Sequence, residues 1–263
     1  MAQWNKQDQA YRVQDTTNFE VVMIADEDGN PINSFGAASN IPIAGGQNEG
    51  YNYVHKFGAN TGLSNQNYET VWDGSNLYPW ATMDTAATTL TTNAEAGNSG
   101  AEITIQGLNE NYELTTEVLT LDGTAQTTSN SWKRVFRGFV SGSQEIAADF
   151  TLSKGATLVL KIETGAQQTL MSVYTIPAGK TGYLFNLDAT TLKNEEVTMD
   201  IKARRFGGVF RTQHIFQVAG VHYNHTFTVP LYFPEKTDID LRAIGGNAGV
   251  AAYAHFDLIL VDN

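Results

Sequence analysis

The chain has no cysteine, and this absence sets the first limits on its chemistry. Without cysteine there is no disulfide, no thiolate metal ligand and no cysteine nucleophile. Positive charge is also scarce, because 28 acidic residues stand against 16 basic ones and give a net charge of −12. Such a balance opposes binding to nucleic acid or to an anionic membrane through a broad electrostatic surface. We therefore expect neither nucleic acid nor membrane among the partners.

Long apolar runs are absent too. No stretch approaches the roughly 18 consecutive apolar residues of a membrane span, and the first residues do not pair a basic segment with an apolar one, as a signal peptide does. We therefore expect synthesis in the cytoplasm without a signal peptide. Hydrophobic residues still make up 41% of the chain, which predicts a folded protein with a sizeable core.

The sequence also lacks the common catalytic motifs. It has no Gly-x-Ser-x-Gly elbow, no glycine-rich phosphate loop ahead of a helix and no His-Glu-x-x-His. A glycosidase-type pair of carboxylates stays open as an alternative, since acidic residues are numerous. Glu113 and Glu117 nevertheless fall at alternating surface positions of one predicted strand. We predict no enzyme activity and no cofactor.

Two patterns invite a metal-binding interpretation, and neither is sufficient. His222 and His225 are three positions apart, and such positions of a strand face opposite sides, so one ion reaches both only across a turn. The alternation over residues 26–30 resembles a calcium loop, but the glycine and the glutamate that such a loop needs are out of place. His55 is predicted to lie on the surface. The sequence therefore predicts no metal site.

The two-residue alternation of β-strands is most regular in the C-terminal part. In residues 195–205, Val197, Met199 and Ile201 share one face, and polar residues occupy the other. Similar runs recur at the spacing of about 8–12 residues that is typical of sandwiches and barrels. The eight predicted strands start near Leu158, Leu170, Lys180, Val197, Val209, Phe227, Ile239 and Ala252. Eight antiparallel strands predict a jelly-roll-like β-sandwich over residues 146–263.

The last two of these strands carry distinct patterns. Residues 238–242 alternate strictly, which places their charged side chains on a solvent-exposed face. Residues 253–261 are apolar at nearly every position, which predicts a strand covered on both faces or packed against a neighbouring subunit. The interface candidates on this final run are Tyr253 and Phe256.

The N-terminal part predicts an arm and a second sandwich. Residues 1–17 are polar and predict an extended, flexible arm, in which Trp4, Tyr11 and Val13 are candidate anchors on a neighbouring subunit. Residues 18–145 predict a first, smaller β-sandwich with a connecting segment. Its candidate strands are residues 69–72, 78–83, 87–92, 102–106, 112–121 and 132–140. The whole chain is thus predicted to be all-β, with the arm followed by two antiparallel β-sandwiches.

Trp72, Tyr78 and Trp80 stand close together around an acidic residue. Aromatic rings beside carboxylates are a common means of binding sugar rings, so these three residues are glycan-binding candidates. The alternative, which we favour, is that the tryptophans fill the end of the smaller sandwich while the tyrosine hydroxyl bonds to the backbone.

Several stretches resemble one family of proteins. They are residues 71–79 (VWDGSNLYP), 99–108 (SGAEITIQGL), 117–123 (EVLTLDG), 132–137 (WKRVFR), 174–183 (YTIPAGKTGY), 234–239 (PEKTDI) and 256–262 (FDLILVD). In these turn and strand residues the chain is similar to virion structural proteins of tailed bacteriophages, especially phages of marine bacteria and cyanobacteria. It departs from the family at Glu102, where a basic residue is more usual, and at residues 147–150. The resemblance carries over no catalytic residue.

The resemblance implies a non-enzymatic component of the virion. Such a protein would assemble symmetrically as a homo-oligomer, by family analogy a trimer, and dock on other virion proteins. Its place would be a head decoration, the neck or a tail-associated structure, reached after synthesis in the host cytoplasm. The alternative is a host-attachment module of a tail fibre that binds a surface glycan.

Deletion of residues 1–13 tests the predicted arm. Because these residues are too polar to form a core, we expect the isolated protein to keep its fold and its melting temperature nearly unchanged. Incorporation into particles is expected to be lost, and Trp4→Ala is expected to lose part of it. The protein composition of assembled particles measures both effects, and normal incorporation of the truncated chain would show that docking does not use the arm.

Overall fold

The computed structural model describes residues 3–5, 10–14, 20–24, 42–220 and 222–263. They belong to two compact units, Met1–Asn52 and Tyr53–Asn263. The fold is all-β and antiparallel, as the alternating sequence pattern predicts. Within these ranges, no helix is long and apolar enough to cross a membrane.

The first unit contains a three-stranded antiparallel sheet. Its strands, in spatial order, are β1 (Gln3–Asn5), β2 (Ala10–Gln14) and β3 (Glu20–Ile24). Trp4 lies opposite Tyr11 across β1 and β2, and Val13 lies in the part of β2 that pairs with β3. The described residues of the predicted arm are therefore paired in a sheet and do not form a free extended segment. The calcium-like pattern at residues 26–30 falls outside the described residues.

The rest of the described chain contains strands β4 to β18 and short helices. The strands are β4 (Tyr51–Leu63), β5 (Glu69–Thr70), β6 (Thr91–Thr92), β7 (Glu102–Leu108), β8 (Leu114–Thr120), β9 (Arg134–Val140), β10 (Phe150–Lys154), β11 (Thr157–Ile162), β12 (Val173–Thr175), β13 (Lys180–Thr191), β14 (Glu196–Arg204), β15 (Arg211–Ala219), β16 (Tyr223–Phe233), β17 (Asp238–Gly245) and β18 (Val250–Asp262). The helices include α1 (Trp80–Asp84) and the 3₁₀ helix Ala96–Asn98, and residues 42–44 also form a helical turn.

The larger sandwich is formed by two sheets. One has the strand order β12-β17-β14-β15, with β5 beside β17, and the other has the order β16-β13-β18-β4. They face each other, with β17 and β14 against β18 and with β13 against β15. Met199 and Leu241 of the first sheet and Leu187 and Phe256 of the second are completely buried. Each such side chain stabilises the fold by about 1.5–3 kcal/mol through its burial.

The smaller sandwich is formed by the sheets β8-β7-β9 and β11-β10-β6, which meet through β9 and β11. Trp132, Phe150 and Leu160 are almost completely buried in it. Strand β9 also contacts β12 of the larger sandwich. One hydrophobic cluster, from Leu63 to Leu260, therefore runs through both sandwiches.

The eight strands predicted in the C-terminal part correspond to β11–β18. Their local alternation was sufficient to locate them. Strand pairing crosses the predicted boundary between residues 145 and 146, because β10 pairs with β6 and β17 pairs with β5. That residues 18–145 and 146–263 are separate domains stays a prediction.

Other segments differ from the expectation. The prediction of a strand at residues 78–83 is wrong, because α1 begins at Trp80 directly after Pro79. A proline has no N–H to donate, and this costs no hydrogen bond at the start of a helix. Strands β4 and β10 were not predicted, since glycine, asparagine and alanine interrupt the alternation of β4 and β10 is only five residues long.

Strand β13 contains a β-bulge at Phe185. Leu184 and Asn186 pair with successive residues of β18, so Phe185 is one residue more than the partner strand has. The bulge shifts the alternation, and Leu184 and Leu187 are both buried although they are three positions apart. Beyond the bulge, the even-numbered residues of β13 lie on the outer face of the sheet.

Gly58 of β4 is closely surrounded by backbone. A Cβ atom there would lie 2.1 Å from the carbonyl oxygen of Val71 and 2.6 Å from the amide nitrogen of Ser172, whereas one at Gly62 of the same strand would meet nothing within 4 Å. We expect Gly58→Ala to lower the free energy of unfolding by about 1–3 kcal/mol, as overpacking typically does. Gly62→Ala is the matched control and is expected to leave it nearly unchanged. Urea denaturation of both variants measures this, and equal losses would contradict the close approach.

Candidate functional site

A buried aspartate of β17 is the centre of the polar interior. Asp238, 3% exposed, accepts a hydrogen bond from Arg134 Nε at 2.9 Å and one from Arg204 Nε at 3.0 Å. The hydroxyl of Thr175 donates a third at 2.6 Å. Since Arg134 belongs to β9 of the smaller sandwich and Arg204 to β14 of the larger one, this carboxylate connects the two sandwiches.

Asp84, the last residue of α1, contacts the same two guanidinium groups. Its Oδ1 lies 2.6 Å from Arg134 Nη2, and its Oδ2 lies 2.7 Å from Arg204 Nη1. Burial opposes ionisation of this carboxyl group, but the hydrogen bonds and charges of both arginines outweigh burial and hold the pKa of Asp84 below its usual range. Asp84, Arg134, Arg204 and Asp238 therefore form a charge-balanced group, the Arg–Asp cluster.

Asp240, on the same strand as Asp238, is completely buried. Its carboxylate has three donors: Trp80 Nε1 at 2.8 Å, Thr70 Oγ1 at 2.9 Å and Arg242 Nε at 2.7 Å. Burial raises the pKa of Asp240. The prediction of a solvent-exposed charged face at residues 238–242 is wrong, because Trp80 of α1 and Arg134 of β9 lie over Asp240 and Asp238.

The glycan-binding candidates Trp72, Tyr78 and Trp80 are buried, with at most 6% of each residue exposed. The Tyr78 ring meets both indole rings edge-on, with centroids 5.4 Å from Trp72 and 4.8 Å from Trp80. Its hydroxyl donates to the carbonyl oxygen of Val135 at 3.0 Å. These three rings offer no open face to a sugar, and they act as core residues.

A cleft of about 360 Å³ opens over the Arg–Asp cluster. Lys133, Arg205 and Lys236 line it together with the aromatic rings of Tyr112 and Phe206. The ammonium groups of Lys133 and Lys236 both lie 5.9 Å from the centre of the Tyr112 ring. The two arginines below are already paired with carboxylates, and Lys133 lies 3.7 Å from Glu110 Oε1. The positive charge of the cleft therefore comes mainly from Arg205 and Lys236, and it suits an anionic group.

The open edges of the larger sandwich expose apolar side chains. Among the described strands, β15 pairs with β14 alone and β16 with β13 alone. Val229 and Tyr232 of β16 are 79% and 53% exposed, and Ile215 of β15 is 55% exposed. The unpaired N–H and C=O groups of edge strands are a common site of association with another chain.

The interface candidates from the sequence lie in different places. Tyr253 is 37% exposed on β18. Phe256 is completely buried, because it lies on the inward face of that strand and packs into the core. The side chains of Trp4, Tyr11 and Val13 lie outside the described part of the structure.

The histidines meet in ways that the sequence did not indicate. His222 pairs with Asp188 of β13, whereas His225 stacks on the His214 ring of β15. These two histidines therefore do not share a site. His55, predicted to stand alone on the surface, lies beside His255 and Asp257. His55 and Asp257 are 202 positions apart, and only the pairing of β4 with β18 brings them together.

No family model matches the chain, and no curated protein matches it. Solved structures match weakly. The structure of infectious bursal disease virus, Gt strain, is 12% identical over 81% of this chain and 73% of its own, with a TM-score of 0.24. The T13 viral particle of that virus is 10% identical over 81% and 70%, with a TM-score of 0.23, and its VP2 subviral particle is 11% identical over 81% and 72%, with a TM-score of 0.21. TM-scores this low carry no argument about fold or function.

Arg134→Met removes one cation from the Arg–Asp cluster. Breaking a buried ion pair typically costs 3–5 kcal/mol, and since the other arginine still contacts both carboxylates, we expect the free energy of unfolding to fall by about 3 kcal/mol. Lys161→Met breaks ion pairs at the surface, where Lys161 contacts two well-exposed carboxylates, and is expected to cost less than about 1 kcal/mol. Chemical denaturation of both variants compares the losses, and similar values would contradict the structural role of the cluster.

Proposed function

We propose that this protein is a non-enzymatic structural component of a tailed-phage virion, in which it associates symmetrically with copies of itself and docks on other virion proteins. Three features support the proposal: the turn and strand residues that resemble such proteins, the antiparallel all-β fold, and the apolar edge of the larger sandwich. The charges of the Arg–Asp cluster fit a structural role as well, because they are paired with one another and hold strands together.

The observation that carries the proposal is the exposure of apolar residues along β15 and β16. Ile215, Val229 and Tyr232 are each more than half exposed, and such side chains gain free energy when they leave water. Strand β16 also contains Pro230, which has no N–H and so prevents continuous pairing with another strand. We infer that a second copy packs its side chains against this edge without adding a strand beside β16.

The assembly that we propose is a homotrimer, by analogy with other phage β-sandwich proteins. We assign docking on further virion proteins to residues 1–17, with the anchors Trp4, Tyr11 and Val13. The position on the particle is then a head decoration, the neck or a tail-associated structure. The host-attachment alternative lacks its binding site at residues 72–80, since the aromatic rings there are buried.

Val229→Asp tests the proposed contact. We expect trimers of the natural chain at micromolar concentration in sedimentation experiments, and about tenfold or more weaker association of the variant, because an unpaired charge is costly to bury. Val118→Asp, on β8 of the smaller sandwich, changes an apolar residue that is 56% exposed and is expected to associate normally. Far-ultraviolet circular dichroism checks that both variants fold. A natural chain that stays monomeric, or equal losses in both variants, would overturn this interface.

A further inference from the structure

The outer face of the four-stranded sheet carries a cluster of polar side chains. His255 and Asp257 are two positions apart on β18, so they lie on the same face of the strand. On one side, β13 places Asp188 opposite His255 and Asn186 opposite Asp257. On the other side lies β4, the edge strand, with His55. Adjacent strands are about 4.8 Å apart, which brings side chains of three strands within reach of one point.

Three of these residues converge on such a point. A donor atom from each of His55, His255 and Asp257 lies within 4.8 Å of the other two. His55 Nδ1 is 2.6 Å from Asp257 Oδ1, and the two imidazole rings have centroids 4.8 Å apart. Within the described part of the chain, no other group of three histidine or acidic donors is as close.

The carboxylate of this group is buried, whereas the two imidazoles are partly exposed. The side chain of Asp257 is 10% exposed, whereas those of His55 and His255 are 40% and 30% exposed. The carboxylate is thus fixed in the sheet, and both imidazoles remain open to solvent. An ion can reach this position from outside and keep at least one water molecule as a ligand.

Neighbouring side chains hold the carboxylate in place. Asp257 Oδ1 accepts a hydrogen bond from the Tyr53 hydroxyl at 2.7 Å, and Oδ2 accepts one from Asn186 Nδ2 at 3.1 Å. Both oxygens of this carboxylate are therefore held by side chains of neighbouring strands. Near the other ligand, Asp188 Oδ1 lies 3.9 Å from His255 Nδ1. Metal ligands in proteins are commonly oriented by hydrogen-bonded outer partners, as Asp257 is by Tyr53 and Asn186.

We propose that His55, His255 and Asp257 bind a divalent transition-metal ion of the zinc type, with water completing the coordination. Two imidazole nitrogens and one carboxylate oxygen are the ligand set of many zinc sites, at metal–ligand distances of about 2.0–2.2 Å. Small side-chain rotations bring donors that are already within 4.8 Å of one another onto a shared ion. Calcium and magnesium are disfavoured, because they prefer oxygen ligands.

The bound ion would join two strands. His55 belongs to edge strand β4, and the other two ligands belong to β18, next to it in the sheet. Coordination would therefore fasten β4 to the larger sandwich and stabilise the native state. This inference is independent of the proposed role in a virion, since it depends on residues of one copy only.

The test is a calorimetric titration of the untagged full-length chain with Zn²⁺. We expect one site per chain, and binding at least about tenfold weaker in His55→Gln and in His255→Gln, since each loses a ligand. His225→Gln changes a histidine outside the triad and is expected to bind as the natural chain does. Absence of saturable binding, equal affinity in His255→Gln, or equal loss in His225→Gln would overturn the proposal.

Two further measurements do not depend on variants that fold poorly. Co²⁺ bound to the natural chain is expected to show the visible absorption of a site with nitrogen and oxygen ligands, and its absence would contradict the site. Zn²⁺ is expected to raise the melting temperature of the natural chain, because a ligand that binds only the native state stabilises it. An equal rise in His255→Gln, which circular dichroism would first show to be folded, would place the ion elsewhere and refute the assignment.

Discussion

The carboxylate of Asp238 constrains the relative positions of both sandwiches. Donors from β9, β12 and β14 converge on it, and Asp84 supplies the second negative charge that the two arginines require. Buried charges are costly to remove from water, and the cost is offset only where pairing and geometry are both good. The surrounding core must therefore pack so that these four groups stay in contact. We regard the Arg–Asp cluster as a determinant of which strands lie together, more than as a source of net stability.

Trp80 contacts both a carboxylate and the arginines of this buried polar region. Its indole N–H donates to Asp240, and its ring lies 5.5 Å and 5.8 Å from the guanidinium carbons of Arg134 and Arg204. The ring thus satisfies one buried carboxylate and covers two cations at the same time. Aromatic residues beside an acidic one, which can indicate a sugar-binding surface, here belong to the wall of a buried ionic group.

The fold class was predictable from the sequence, because alternation along a strand is a local property. The burial of Asp238 and Asp240 was not predictable in this way, since alternation shows that a face is polar but not that other elements cover it. The grouping of His55, His255 and Asp257 could not be predicted from the sequence for a related reason. Its members come from strands about 200 positions apart, and β4 was not recognised as a strand. Both the Arg–Asp cluster and the His55–His255–Asp257 group depend on contacts between strands that are distant in the sequence.

The extra residue in β13 marks a position where this strand can lose one residue without reversing the outer face of the four-stranded sheet. Before Phe185 the odd-numbered residues of β13 face outward, as Tyr183 does, and after it the even-numbered ones do, as Asn186 and Asp188 do. Loss of Phe185 would restore regular alternation and leave Asn186 opposite Asp257 and Asp188 opposite His255, with both polar side chains still facing outward. Their partners on β18 would keep their orientation. A deletion at Phe185 would therefore keep the polar surface, whereas loss of a residue within the paired segment 186–191 would move the side chains that follow it to the opposite face.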